Sequence, residues 1–313
     1  MRQYILRLPL LGAMVLLSSC IDIGDFGDSY AFRQDFHSTH ALEPGGRVSV
    51  ESFNGPIEVV GWDQNSVEVN GTKHASFREA LNDIKVDVDA TAGAVRIHAS
   101  RSDGFHHGGV RFSIRVPRKT ILELIASSNG RIDVDGVEGN VRLRTSNGGI
   151  RVQRLKGDLE AETSNGTIET QDLSGNANVH TSNGAVRGDA SAGSFQAVTS
   201  NGRIEVRLID PAASGPVRLH SSNGHIELSL DGKQLPEVRA STSNSSILLR
   251  LPATASARVR AYTSHSPVTS EFDGLRPDFE RHRTRSELEG TIGHGGPLID
   301  LESSNGSIKI EKL

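Results

Sequence analysis

The sequence predicts an all-β fold: a parallel β-solenoid of two-strand coils repeating every 18 to 22 residues, with irregular N-terminal coils and one short helix. Three observations lead there. Thr-Ser-Asn-Gly occurs four times in succession, and its asparagines, Asn147, Asn165, Asn183 and Asn201, are each 18 residues after the last. A second mark runs at the same period in Gly139-Asn140, Gly157-Asp158, Gly175-Asn176 and Gly193-Ser194. Between the marks apolar and polar residues alternate, as in a strand with one buried face. Val141, Leu143 and Thr145 share one face, and Ile150 and Val152 follow beyond the turn. These inward residues are small or β-branched, which suits a thin core. Gly and Asn at the two turns are expected to supply the positive φ of tight corners.

Strand–Asn-Gly–strand is also a hairpin signal, which would give an antiparallel meander. The outward charges decide between the two. A hairpin at Asn147-Gly148 would set Arg144 against Arg151, and the next would set Glu162 against Glu169. Like charges directly opposite are destabilising. Stacking at the repeat instead aligns Asp133, Arg151, Glu169, Arg187 and Glu205, which alternate in sign. The expectation is therefore a solenoid. Its turn ladder runs through Asn129, Asn147, Asn165, Asn183, Asn201, Asn223, Asn244 and Asn305, with Ser264-His265-Ser266 at an equivalent turn.

Taken in order, residues 1–19 read as a targeting segment and are set apart from the fold. Arg2 and Arg7 precede a largely apolar run, and Leu17-Ser18-Ser19-Cys20 resembles the lipobox of bacterial lipoproteins. That resemblance implies cleavage before Cys20 and lipidation of it, so the membrane becomes a partner through the lipid. Ile21 after the cysteine leans towards the outer membrane. An ordinary secretory signal or an uncleaved anchor stays open as the alternative. Cys20 is the only cysteine, so no internal disulfide forms. Residues 20–38 read as a polar tether. Residues 39–118 read as irregular first coils, with strands at 84–88, 95–99 and 110–116. Their capping helix begins at Ser76 as N-cap, with Glu79 completing a capping box. Regular repeats occupy 119–270, with extra residues around Asp210-Pro211 forming a bulged turn. Residues 271–297 are an insertion or partial cap, and 298–313 form the terminal coil.

Several short motifs carry a family resemblance. They are Ser52-Phe53-Asn54-Gly55-Pro56-Ile57-Glu58-Val59 followed by Gly61-Trp62-Asp63, then Val116-Pro117, and finally Glu302-Ser303-Ser304-Asn305-Gly306-Ser307-Ile308. On these the chain resembles the bacterial putative-adhesin family of β-strand-repeat proteins, a domain of unknown function, over residues 40–313. The resemblance implies a β-solenoid at the cell envelope and supplies no catalytic residues to carry over.

Net charge is −4 with no basic stripe, which argues against nucleic acid as a partner. His106-His107, with Asp103 and His98 nearby, is the most site-like cluster, but a metal needs three or four converging groups. A solvated Gly-rich loop is the reading adopted, with no metal and no cofactor. Asp133 and Asp135 are too embedded in charge alternation to serve as a catalytic pair, so no catalytic residue is assigned. The Asn ladder points either inward, as a structural amide ladder, or outward, as a polar ridge able to meet glycan. The inward arrangement is the expectation.

The sequence thus predicts a lipid-anchored, non-catalytic envelope module, an adhesin-like scaffold meeting an envelope protein or glycan. A polysaccharide-active enzyme on the same fold and a periplasmic sensor are the alternatives. Which face of the outer membrane the module occupies stays open.

Overall fold

The computed structural model describes residues 32–102, 108–209, 215–232, 234–275 and 286–313. Cys20, Asp103, His106 and His107 lie outside them, as does the bulged turn at 210–214.

The regular array runs from β8 to β21. Its N-terminal half comprises β8 (Ile121–Ser127), β9 (Ile132–Asp135), β10 (Val141–Thr145), β11 (Ile150–Lys156), β12 (Leu159–Thr163), β13 (Ile168–Ser174) and β14 (Ala177–Thr181). Then come β15 (Val186–Ala192), β16 (Phe195–Thr199), β17 (Ile204–Ile209), β18 (Val217–Ser221), β19 (Ile226–Asp231), β20 (Val238–Thr242) and β21 (Ile247–Leu251). Even-numbered strands pair in one parallel sheet and odd-numbered strands in the other. Thr145 pairs with Thr163, and Arg151 lies between Asp133 and Glu169. The hairpin model is excluded. Inward columns run the length of the stack: Ile132, Ile150, Ile168, Val186, Ile204, Ile226 and Ile247 are all buried and stacked in register. The other sheet carries a buried column of its own, Val141, Leu159, Ala177, Phe195, Val217 and Val238. Phe195 is the outsize member. It fits because Gly188 lies opposite, where a Cβ would come 2.5 Å from the ring.

Both ends depart from chain order. The N-terminal elements are β1 (Phe32–Ala41), β2 (Arg47–Ser52), β3 (Ile57–Trp62), β4 (Ser66–Ala75), α1 (Arg78–Asp83), β5 (Ile84–Thr91), β6 (Ala94–Arg101) and β7 (Gly108–Pro117). The coil β2/β3 stacks directly on β8/β9, and the later coil β6/β7 stacks outside it. Antiparallel strands then close the end, β4 and β1 beyond β7 and β5 beyond β6. The C-terminal elements are β22 (Ala257–Thr263), β23 (Val268–Ser270), β24 (Ser286–Ile292), β25 (Leu298–Ser303) and β26 (Ile308–Lys312). Here the last coil in sequence, β25/β26, is inserted between β20/β21 and β22/β23, and antiparallel β24 covers β22. Among the described residues each sheet therefore holds 13 strands.

Three expectations need correction. Residues 32–38, read as tether, belong to β1, whose alternating half-buried residues pack Phe36 edge-on against Phe112 with ring centroids 5.9 Å apart. The helix starts at Arg78 with extended Phe77 at its N-cap and no side-chain cap, so the Ser76–Glu79 capping box does not form. The coil at 298–313 ends the chain without ending the stack.

Candidate interaction face

The Thr-Ser-Asn-Gly corner gives each residue a separate task. The threonine closes a strand facing inward, and its hydroxyl is buried. Thr163 donates to the Gly148 carbonyl of the preceding coil at 2.9 Å and accepts from its own Gly166 N–H at 3.2 Å. Thr145, Thr181 and Thr199 repeat the arrangement. A buried hydroxyl is thus satisfied, together with a backbone donor and acceptor that would otherwise be costly to bury. The glycine is required by proximity: a Cβ on Gly148, Gly166, Gly184, Gly202 or Gly224 would lie within 2 Å of the carbonyl oxygen of the glycine one coil before. None of these five has positive φ, contrary to the expectation for this turn. At the other turn Gly157, Gly175 and Gly193 do, at φ 146°, 149° and 95°.

The asparagines form one continuous ladder on the exterior, and here the two sequence alternatives merge. Asn147 Nδ2 donates to Asn129 Oδ1 at 2.6 Å, and Asn165, Asn183, Asn201, Asn223, Asn244 and Asn305 each donate to the one before at 2.7–2.8 Å. All these pairs are exposed. An amide ladder requires only the strand spacing of ~4.8 Å, which the corner supplies on its outside as well as its inside. The expected inward direction is corrected, while the ladder itself forms. A shorter polar ladder lies at the second turn. Asp158 N–H donates to Asn140 Oδ1, Asn176 to Asp158 Oδ1 through both backbone and side chain, and Ser194 likewise to Asn176 Oδ1.

Charge ladders cover the two faces. Glu169 is bracketed by Arg151 at 2.7 Å and Arg187 at 3.0 Å. The hydrogen bond from Arg151, joined by that from Arg187, holds the Glu169 carboxyl below its ordinary range against a smaller opposing effect of burial. On the opposite sheet Arg142 bonds Glu160 at 2.6 Å. Alternation stops after Glu205, which stacks on Glu227; Arg250 pairs with both Glu227 and Glu311 instead. Asp133 is hydrogen-bonded by Arg131 and Asp135 by Arg154, so each carboxylate already holds a guanidinium. Among the described residues no three His, Cys, Asp or Glu side chains converge on a metal position. His98 is on β6, paired in register with Glu51.

Two shallow grooves mark the outer face of the even-stranded sheet. One, of about 430 Å³, runs along the second-turn ladder past Asn140, Asp158, Asn176, Glu160 and Gln196. The other, of about 500 Å³, lies near the first corner, between Phe53, His98, Arg101 and Arg144. Arg101 sits 5.0 Å over the Phe53 ring. Nothing in the spacing of Phe53, 48 residues before Arg101, marks that pair in the sequence; it exists because β2 and β6 are stacked out of chain order.

Residues 48–311 match the model of the family described as Toastrack DUF4097. Among curated proteins nothing matches. Solved structures align over 89% of this chain, three of them as follows. A putative cell adhesion protein from Clostridium sporogenes is 11% identical, covered over 100% of its length, with a TM-score of 0.21. A putative adhesin from Bacteroides fragilis is 13% identical, covered over 97%, with a TM-score of 0.39. A putative lipid binding protein from Parabacteroides distasonis is 13% identical, covered over 96%, with a TM-score of 0.47. Likeness at this level carries no argument about what the present chain binds.

Proposed function

Because the chain belongs to the Toastrack DUF4097 family, a domain of unknown function, its role must be argued from its own surface, and we propose that it is a non-catalytic interaction module of the cell envelope, held to a membrane by lipid on Cys20. One observation carries the reading. The outward polar groups of the stack are bonded to one another along its axis, through the Asn ladder at the corner and through ion pairs such as Arg151–Glu169–Arg187 and Arg142–Glu160 on the two faces. Such a surface is fixed before any partner arrives, and binding to it avoids much of the cost of ordering side chains. Catalysis asks for the reverse, carboxylates with perturbed acidity free to act on substrate. Here Asp133 and Asp135 are engaged by arginines. The partner class that suits such a face is a polymer or flat protein surface able to follow a polar ladder, an envelope glycan or protein.

The experiment is protease treatment of intact cells expressing the chain with an epitope tag after Leu313, beside a Cys20→Ala variant. Loss of the tag from intact cells assigns the module to the surface, where it contacts matrix or other cells. Protection until the outer membrane is permeabilised assigns it to the periplasm, as scaffold or sensor. Release of wild-type protein into the soluble fraction, indistinguishable from Cys20→Ala, overturns lipid anchoring.

A further inference from the structure

Nine Asn-Gly pairs occur in this chain, and eight of them sit at corners of the stack. Asn-Gly is the dipeptide most prone to deamidation, because the glycine backbone nitrogen meets no side chain in its way. That nitrogen bonds to the asparagine Cγ, the side-chain nitrogen leaves as ammonia, and the resulting succinimide takes up one water at either carbonyl to give aspartate or isoaspartate. We propose that the stacked corner shields its asparagines from this reaction and that Asn54-Gly55, a corner built differently, is the modification site of the folded protein.

The shield has two parts. The attacking nitrogen is held: the glycine N–H donates to the Thr or Ser hydroxyl three residues earlier, at 3.0 Å for Gly130, 3.3 Å for Gly148, 3.2 Å for Gly166 and 3.1 Å for Gly184. Gly202, Gly224 and Gly306 follow at 3.1, 2.8 and 2.9 Å. The target is held as well, since each interior asparagine amide is fixed by ladder bonds on both sides. Closing the five-membered ring at Asn165, for example, requires Gly166 N to leave Thr163, and the Asn165 side chain to leave Asn147 and Asn183.

At Asn54 both restraints change. Ser52, the counterpart of Thr163, turns its hydroxyl to the Asn54 carbonyl at 3.1 Å. Among the described residues nothing accepts from Gly55 N–H, and Gly55 has φ +111°, outside the conformation of the ladder glycines. The Asn54 amide joins no ladder; among the described residues its single bond is from Nδ2 to the Gly108 carbonyl at 2.8 Å. The ninth pair, Asn70-Gly71, lies within β4, between β1 and β7 in the sheet, where the backbone is extended. Conversion at Asn54 would replace the donor to Gly108 by a carboxylate that cannot donate, at the junction of the two outermost coils.

The test is peptide mapping by mass spectrometry of the purified full chain after incubation in mildly alkaline buffer, folded and in urea. In urea the Asn-Gly sites should convert at comparable rates. In the folded protein Asn54 should convert first, with Asn147, Asn165, Asn183 and Asn201 about tenfold slower or more, a factor equivalent to ~1.4 kcal/mol of restraining hydrogen bonds. Thr163→Val keeps the shape of the side chain and removes the acceptor of Gly166 N–H; it should accelerate Asn165 relative to Asn183 in the same molecule. Ladder asparagines converting when folded as fast as in urea, or Asn54 no faster than Asn165, would overturn the proposal. The wild-type comparison decides it even if Thr163→Val fails to fold.

Discussion

A methyl group on Gly166 would sit 1.8 Å from the carbonyl oxygen of Gly148, and the neighbouring coil cannot retreat without opening both sheets. Gly166→Ala should therefore cost ~3 kcal/mol or more, at or beyond the upper end for overpacked sites. Gly93, where an added Cβ meets nothing within 4 Å, is the control, and its Ala variant should stay within ~0.5 kcal/mol of wild type. Denaturant midpoints of the two variants check both. The position of Gly166 is plain in the repeat, but its reason is not. Sequence chemistry offers positive φ as the explanation for a turn glycine, which holds at Gly157 and Gly175 and fails at Gly166. The competing cause, backbone approaching backbone across coils, exists only once the coils are stacked. The threonine hydroxyl is hidden for the same reason. Thr163 reads as one more inward β-branched residue, and its bonds to Gly148 and Gly166 cross a coil boundary that local pattern does not encode.

At the scale of elements, charge was the most legible signal, because parallel register converts the repeat into a list of neighbours. Asp133, Arg151, Glu169, Arg187 and Glu205 stack in the order that the period dictates. Changing Arg151 and Arg187 together to Glu would leave an unbroken row of seven acidic residues, from Glu58 through Asp133 to Glu205 and Glu227, and remove both partners of Glu169. Isolated surface pairs contribute ~0–1 kcal/mol, so this double variant should lose more than ~1 kcal/mol at low salt. Most of that loss should be recovered as added salt shortens the Debye length. Thermal unfolding at two ionic strengths measures it, and a loss that ignores salt would place the defect in packing. Where the period lapses, so does legibility. The Ser76–Glu79 spacing satisfies a capping box, yet the chain entering from β4 holds Phe77 extended at the cap and starts the helix at Arg78. Residues 32–38 lack a strong apolar alternation and read as tether. They become strand because β4 offers them an antiparallel edge.

For the whole molecule the decisive feature is the order of the outer coils, which no repeat period reveals because the exchanged coils obey the same grammar as their neighbours. Coil β25/β26 supplies both partners that β22/β23 needs, pairing Ile299 with Val259 and Ile308 with Val268, and on its other side it continues the columns of Val238 and Ile247. In a solenoid stacked in chain order, removing the last coil exposes the layer beneath and leaves the rest intact. Here, deleting residues 298–313 would open a gap inside the stack. Strands β22 and β23 would lose their only parallel partners among the described residues, while β22 keeps its antiparallel pairing with β24, a two-stranded unit too small to hold a core alone. Hydrogen exchange on the truncated chain should therefore show β22 to β24 unprotected, together with exposure at β20 and β21, while β8 to β17 retain their protection. Loss of protection confined to one newly exposed layer would mean that β22/β23 can close the gap by docking directly on β20/β21. The insertion also sets a folding order: the layer of β22 and β23 cannot complete until β25 and β26, which follow it in sequence, have paired, a non-local step of the kind that slows folding.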